Sequence, residues 1–256
     1  MISNKIRKKI VEKRVILITG GVRRLGKEIA LVLAEENFTL ILSYFRSPLR
    51  IVNETIGEIK KYNSDSCAFK ADISRHSEIK RLFNFIKKNF GRLDVLINNA
   101  AVYDRIDFFK INEKNFDRFI DTNLKSVVFS SLEAAKLMEN NTDGKSIIIN
   151  IASLGAYLNW TESIPYSVSK AAVVKFTQLS ARRLAPNILV NSIAPATLLL
   201  ENSDNVFINK NELKSYPVKR FGKASDIASL VKYLVNRNEF ITGHTFIVDG
   251  GRTLAV

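Results

Sequence analysis

The sequence predicts an α/β fold: a doubly wound domain on a mostly parallel sheet of about seven strands. Three observations carry this. Short apolar or β-branched runs alternate with helix-like segments along the whole chain. The runs are near-continuously hydrophobic rather than alternating, as suits strands covered by helices on both faces. No repeat, low-complexity linker or composition shift divides the 256 residues, so a single domain is the economical arrangement.

A basic N-terminal arm, 1–13, precedes the domain, which is expected to span 14–256. The first strand reads as Val15–Thr19 (VILIT), followed by a Gly-rich turn and a helix with Leu25, Ile29, Val32 and Leu33 on one face. Thr39–Tyr44 is the second strand, and Cys67–Lys70, the least apolar, is the third. Ile79, Leu82, Phe83 and Ile86 mark the helix that leads to the strand Val95–Asn98. Ser146–Ile151, Leu189–Ile193 and Thr245–Val248 complete the sheet, with Leu230 and Leu234 marking the last helix. Ligands of such sheets bind outside the carboxyl ends of the strands, so the residues just after each strand matter most.

Composition excludes several classes. With 46% hydrophobic and 25% charged residues the chain can bury a core and is not a disordered polymer. The one cysteine, Cys67, rules out an internal disulfide framework and a Cys-rich zinc site. His76 and His244 are the only histidines, and both read as ordinary loop or strand positions, so no metal site is expected. The net charge of +14 would attract nucleic acid, anionic membranes or phosphorylated ligands. Lys and Arg are nevertheless scattered over most helices, and the densest stretch, Lys5–Arg14, carries no aromatic stacking motif. It reads as a solvated arm, and neither a nucleic-acid nor a membrane partner is expected. No membrane-length apolar run and no signal-peptide pattern occurs, so a soluble, cytoplasmic protein is expected.

The first strand ends in Thr19-Gly20-Gly21-Val22-Arg23-Arg24-Leu25-Gly26, and a helix begins at once. Glycine there permits a tight turn and close approach of a pyrophosphate to the backbone. The helix N-terminus adds free N–H groups and a favourable dipole. Strand before, helix after and βαβ spacing beyond point to a dinucleotide site.

These residues resemble the short-chain dehydrogenases/reductases, a Rossmann-type family whose usual turn is TGxxxGxG. Here Gly20 and Gly26 are kept and Arg24 replaces the middle glycine, a TGxxxRxG turn similar to the pteridine-reductase branch, where that arginine helps bind NADPH. The second strand ends in Ser43-Tyr44-Phe45-Arg46-Ser47, without the carboxylate that would hold a ribose 2′-hydroxyl. A carboxylate would repel the 2′-phosphate of NADP, whereas a guanidinium pairs with it, and Arg23, Arg24 and Arg46 are placed to share that corner. NADPH/NADP is therefore the expected cofactor. The resemblance extends the cofactor set to Leu25, Asp72 and Ile73, to Asn99, Ala100 and Ala101 in an NNAG-like stretch, and to Pro195, Ala196, Thr197 and Leu198. Asp72 is expected to accept from the adenine amino group.

Tyr166-Ser167-Val168-Ser169-Lys170 opens a helix, so Tyr166 and Lys170 at i and i+4 share a face. A phenol, with an ordinary pKa of ~10, exchanges protons poorly at neutral pH. A lysine ammonium one turn away, with an oxidised nicotinamide ring, would stabilise the phenolate and make Tyr166 a general acid–base. Both residues also belong to the expected cofactor contacts. Ser153, thirteen residues upstream, matches the family's serine, which polarises the substrate carbonyl. Asn123 matches the asparagine that holds a water in the proton relay. The tail Ile241-Thr242-Gly243…Val248-Asp249-Gly250-Gly251 is similar to the family's closing strand, which often packs on a neighbouring subunit and implies a homotetramer.

Three features divide the substrate reading. Pro195-Ala196 replaces the usual Pro-Gly, and Leu200 stands where a threonine often follows, leaving Thr197 as a candidate contact to the carboxamide. Ala-Pro-Ala-Thr-Leu-Leu-Leu-Glu resembles the aliphatic loop of pteridine-reductase-like proteins, many of which carry Asp where Ser153 stands. Ser153 points back to a ketone or 3-oxoacyl thioester, whereas Tyr103, Phe108, Phe109 and Trp160 lie in segments able to stack a dihydropterin. Specificity is expected to lie in Ala196–Tyr216, including the polar loop Leu200–Lys214, and in the loop after Ser153. A non-catalytic NADPH-binding or redox-sensing protein is the alternative from another class, and the intact Asn123, Ser153, Tyr166 and Lys170 set weighs against it.

Overall fold

Aliphatic and β-branched runs in this chain become strands, and the five inner strands have both faces buried. The computed structural model describes residues 13–141, 144–200 and 210–255. The basic arm, except Lys13, lies outside the described residues, as does 201–209 of the Leu200–Lys214 loop. In chain order the elements begin β1 (Val15–Ile18), α1 (Arg24–Ala34), β2 (Thr39–Tyr44), α2 (Leu49–Lys60), β3 (Cys67–Lys70), α3 (His76–Phe90) and β4 (Val95–Asn98). Then come α4 (Glu113–Phe119), a π-helical turn (Ile120–Lys125), α5 (Ser126–Met138), β5 (Ser146–Ile151), α6 (Ile164–Leu184) and β6 (Ile188–Pro195). Two-residue strands β7 (Leu198–Leu199) and β8 (Gly222–Lys223), helix α7 (Ala224–Asn236) and β9 (Thr245–Val248) close the chain.

Seven strands form one sheet in the order β3-β2-β1-β4-β5-β6-β9, with every neighbouring pair parallel. This is the doubly wound, Rossmann-like architecture expected. Successive side chains of a strand serve opposite faces. Ile16 and Ile18 pack with Ile29 and Leu33 of α1 and Val231 and Leu234 of α7. Leu17, between them, joins the opposite layer with Leu82 and Ile86 of α3 and Met138 of α5. A strand that feeds two cores must be apolar at every position, which is why these strands show no alternation.

The sixth strand runs Ile188–Pro195 rather than Leu189–Ile193. Ala194 and Pro195 continue the pairing against Ile247 and Val248, and a proline at the terminal position removes no interior ladder bond. Among the described residues no helix is long and apolar enough to cross a membrane. The strand order reverses between β1 and β4, where Ile16 pairs with Val95. That switch point is where doubly wound sheets open a crevice at their carboxyl edge.

Candidate active site

The crevice is one cleft of about 1770 Å³. Drug-sized ligands usually occupy ~300–1,000 Å³, so the volume suits a dinucleotide with a second molecule beside it. Every residue expected to contact a cofactor lines it. Gly20 and Arg23, Arg24, Leu25 and Gly26 come from the β1–α1 turn, and Tyr44, Phe45, Arg46 and Ser47 follow β2. Asp72 and Ile73 follow β3, Asn99, Ala100 and Ala101 follow β4, and Pro195, Ala196, Thr197 and Leu198 end β6 and enter β7. Tyr166 and Lys170 reach it from α6.

The turn is built to bring backbone close. Gly20 has φ +62°, and a Cβ on Gly26 would sit 2.2 Å from the Gly20 carbonyl oxygen, so neither tolerates a side chain. Asn99 Nδ2 donates to the Thr19 and Gly20 carbonyls at 2.9 and 3.1 Å. Thr19 Oγ1 in turn accepts from the Asn99 and Ala100 N–H groups at 3.0 and 3.1 Å, tying β1 to β4 across the switch point. The first turn of α1 has no side-chain cap and no acidic residue, which leaves its N–H groups and positive dipole end to a ligand.

Arg23, Arg24 and Arg46 stand at this end of the cleft. Arg24 holds φ +51°, a left-handed conformation that only glycine adopts freely, at the position where the family's turn carries glycine. Burial and the adjacent Arg24 lower the Arg23 pKa from its ordinary value. The Arg46 guanidinium lies 5.2 Å from the Phe45 ring centroid. No carboxylate occurs in Tyr44–Ser47. Uncapped helix, close backbone and three guanidinium groups fit a dinucleotide that carries an additional phosphate. Asp72 accepts from the Ser74 N–H and hydroxyl at 3.2 and 2.7 Å, which fixes its carboxylate at the cleft wall.

At the other end Ser153, Tyr166 and Lys170 line the same wall. The Ser153 oxygen accepts the Gly155 N–H at 3.1 Å, leaving its hydrogen for another partner. Burial pushes the Tyr166 phenol up to about 12, against an opposing pull from its hydrogen bond with Ser153. Burial also lowers Lys170 to about 8. Its ammonium donates to the Ile151 carbonyl at 2.7 Å and lies 5.8 Å from the Tyr166 ring centroid. Asn123 is the exception: it is fully buried in the π-helical turn, behind the cleft wall rather than on it. Its Oδ1 accepts from Val102 N–H at 2.8 Å, and its Nδ2 donates to the Val102 carbonyl at 3.0 Å and to Ser169 Oγ at 3.1 Å. Ser169 passes this on by donating to the Tyr166 carbonyl at 2.7 Å.

Of the aromatic candidates, Tyr103 and Trp160 line the cleft, and Tyr103 meets the Tyr166 ring edge-on at 4.9 Å. Phe108 and Phe109 do not: they pack on each other at 5.4 Å and Phe109 is 91% exposed. Their 3₁₀ turn, capped by Asp107, directs both rings outward. The sequence reading missed the charged rim, made of Arg105 with Glu162, Arg118 with Asp104, and Glu212 with Arg252. The Arg105–Glu162 and Glu212–Arg252 pairs join segments far apart in the chain, and only the Gly-Gly before Arg252 signals a turn into the site.

A family model described as "Enoyl-(Acyl carrier protein) reductase" matches residues 21–253. The chain is 34% identical over 239 residues to a 3-oxoacyl-[acyl-carrier-protein] reductase of Staphylococcus aureus, covering 92% of this chain and 96% of that protein. A Staphylococcus epidermidis protein of the same name is 33% identical over 239 residues, covering 92% and 97%. Among solved structures, a short-chain dehydrogenase/reductase from Serratia marcescens superposes with TM-score 0.86 at 29% identity, covering 94% of this chain and 98% of that one. A structure described as ElxO with NADP bound gives TM-score 0.85 at 27% identity, covering 94% and 99%. A glycine turn at the switch point, a Ser–Tyr–Lys wall in the same cleft and these whole-length matches agree: the chain belongs to the short-chain dehydrogenase/reductase family and is an oxidoreductase.

Proposed function

We propose that the chain is an NADPH-dependent reductase that delivers a hydride to a carbonyl carbon, with a ketone or 3-oxoacyl thioester as acceptor and Tyr166 as general acid. The observation that carries this is one cleft holding Arg23, Arg24 and Arg46 at one end and Ser153, Tyr166 and Lys170 at the other. NADPH supplies the hydride when bound, held by the Gly20–Gly26 turn, the three arginines and the segments after β3, β4 and β6. At neutral pH the Tyr166 phenol, raised to about 12, keeps the proton that the acceptor oxygen needs. Ser153, its oxygen already engaged by Gly155 N–H, donates its hydrogen to that same oxygen and polarises the carbonyl. Lys170, with its pKa near 8, stays mostly cationic at pH 7 and stabilises the phenolate as the proton leaves. Asn123 positions Tyr166 through Ser169. The Staphylococcus relatives named above, 34 and 33% identical, support the 3-oxoacyl acceptor. We assign the working form as a homotetramer.

A dihydropterin is the second reading, favoured by Arg24 in the turn and by the aromatic walls Tyr103 and Trp160. Initial rates of NADPH oxidation with an acetoacetyl thioester and a dihydropterin, each repeated with NADH, separate the readings. Thioester turnover at a rate well above pterin turnover, with NADPH preferred, is the expected result. Tyr166→Phe should lower that turnover at least ~10³-fold while NADPH still binds, since the variant loses the proton donor and keeps the cleft. Unchanged turnover in Tyr166→Phe would sink the mechanism, and NADPH binding with neither acceptor reduced would favour the sensor reading.

A further inference from the structure

We infer that Glu212, held in place by Arg252, fixes the direction of the Thr197 hydroxyl, so that Thr197 offers the cleft an acceptor and no donor, matched to the carboxamide N–H of nicotinamide. The inference rests on NADPH as the cofactor. Thr197 is the second residue after Pro195 and lines the cleft, as do Glu212 and Arg252. Its Oγ1 donates to Glu212 Oε1 at 3.0 Å, and its backbone N–H is directed at the Tyr216 hydroxyl at 3.4 Å. An ionised carboxylate only accepts, so the hydroxyl bond cannot reverse. A threonine hydroxyl has one hydrogen and two lone pairs; with the hydrogen committed, only lone pairs remain for a ligand.

The carboxylate is itself clamped. Arg252 Nη1 donates to the same Glu212 oxygen, and to the Tyr216 hydroxyl at 2.9 Å. The guanidinium lies 5.8 Å from the Trp160 ring centroid and 5.2 Å from that of Tyr216. Its segment is pinned by Asp249, which accepts from Gly251 N–H, Thr253 N–H and the Thr253 hydroxyl at 2.8–2.9 Å. Three stretches of chain therefore converge to orient one hydroxyl. The reacting carbonyl of a ketone or 3-oxoacyl thioester brings no N–H to an acceptor-only threonine, whereas the carboxamide does. A pterin also carries N–H groups, and a cofactor analogue separates the two.

The test titrates NADP⁺ and its 3-acetylpyridine analogue, in which a methyl group replaces the carboxamide NH₂, into the wild type, Thr197→Val and the paired variant Glu212→Leu/Arg252→Met. Binding is followed by calorimetry and folding by thermal melts. The wild type should bind NADP⁺ roughly two- to tenfold more tightly than the analogue, the size of one neutral hydrogen bond. Thr197→Val, nearly isosteric, should lose that preference by loosening NADP⁺ alone. The paired variant frees the hydroxyl hydrogen to turn toward the ligand carbonyl and should bring the ratio to one or below. General loosening of the site would weaken both ligands alike and leave the ratio intact, which counts against the inference. A preference that survives in Thr197→Val, or is missing in the wild type, overturns it while the NADPH reading stands. Failure of the wild type to bind NADP⁺ overturns that reading itself.

Discussion

Burying the Lys170 ammonium costs the folded chain stability that the proposed chemistry recovers as function. The side chain is 2% exposed, and its pKa falls from 10.5 to about 8. At ~1.36 kcal/mol per unit this is on the order of 3 kcal/mol against the folded state at neutral pH. The unfolded chain keeps this proton up to its ordinary value, whereas the folded chain releases it near 8. The penalty is therefore complete below about 8 and fades as pH rises toward 10.5. Lys170→Met removes the charge but also orphans the Ile151 carbonyl, which returns ~1–3 kcal/mol. The apo variant should melt at or above the wild-type temperature at pH 7, and the gap should shrink between pH 8 and 10. Its reductase activity should fall at least ~10²-fold. In the wild type, reduction should decline as pH passes about 8 and Lys170 loses its charge, and the variant should lack that limb. Melts of both proteins across pH, beside their pH–rate profiles, check all of this, and a variant melting well below wild type would contradict the burial argument.

At the scale of elements, the turns after β2 and before α5 make separable predictions. Arg46, following β2, is argued to pair with the 2′-phosphate, and the stretch Tyr44–Ser47 contains no carboxylate to resist it. Arg46→Asp should lower kcat/KM for NADPH by ~10²-fold and leave NADH within a few-fold, since a charge-assisted pair becomes a repulsion. Equal losses with both cofactors would show that Arg46 acts on the fold alone. Asn123→Leu in the π-helical turn strands the Val102 N–H and carbonyl, both on a loop at the cleft. An orphaned buried group costs ~1–3 kcal/mol and these two are part-buried, so denaturant melts should show a loss of about that size in total. The strands at Thr39–Tyr44, Val95–Asn98 and Ser146–Ile151 were legible because two-sided burial writes itself as unbroken apolar runs. That the glycine turn and the Tyr166–Lys170 pair line one cleft was legible because the members of each are close in sequence. The π-helical turn was not, because Ile120–Lys125 reads locally like the α-helix on either side. Nor was the Glu212–Arg252 pair, whose members lie forty residues apart and meet only once the sheet has placed β6 beside β9.

On the whole molecule, two stretches of exposed apolar surface lie where another copy of the chain could cover them, at the β9 edge of the sheet and on α6. β9 is the last strand of the sheet and has no neighbour on its outer side among the described residues. Ile247 on this strand is exposed, and of the residues that flank it in the chain Phe240 is 95% and Leu254 85% exposed. An open edge flanked by large apolar side chains invites association unless another chain covers it. On α6, Val168 and Leu179 are both about half exposed and, eleven residues apart, fall on one helix face. Leu132 of the neighbouring α5 is exposed as well. In the proposed homotetramer these two faces each meet their own copy across a twofold axis, which closes the assembly at four subunits. A tetramer mass is therefore expected by light scattering. Phe240→Glu/Ile247→Lys should halve it by opening the β9 contact, and Val168→Glu/Leu179→Glu should halve it by opening the α6 contact. Combining the two pairs should give a folded monomer, because none of the four residues belongs to the buried core. A wild-type protein that runs as a monomer at micromolar concentration would leave both faces unexplained and remove the tetramer from the proposal.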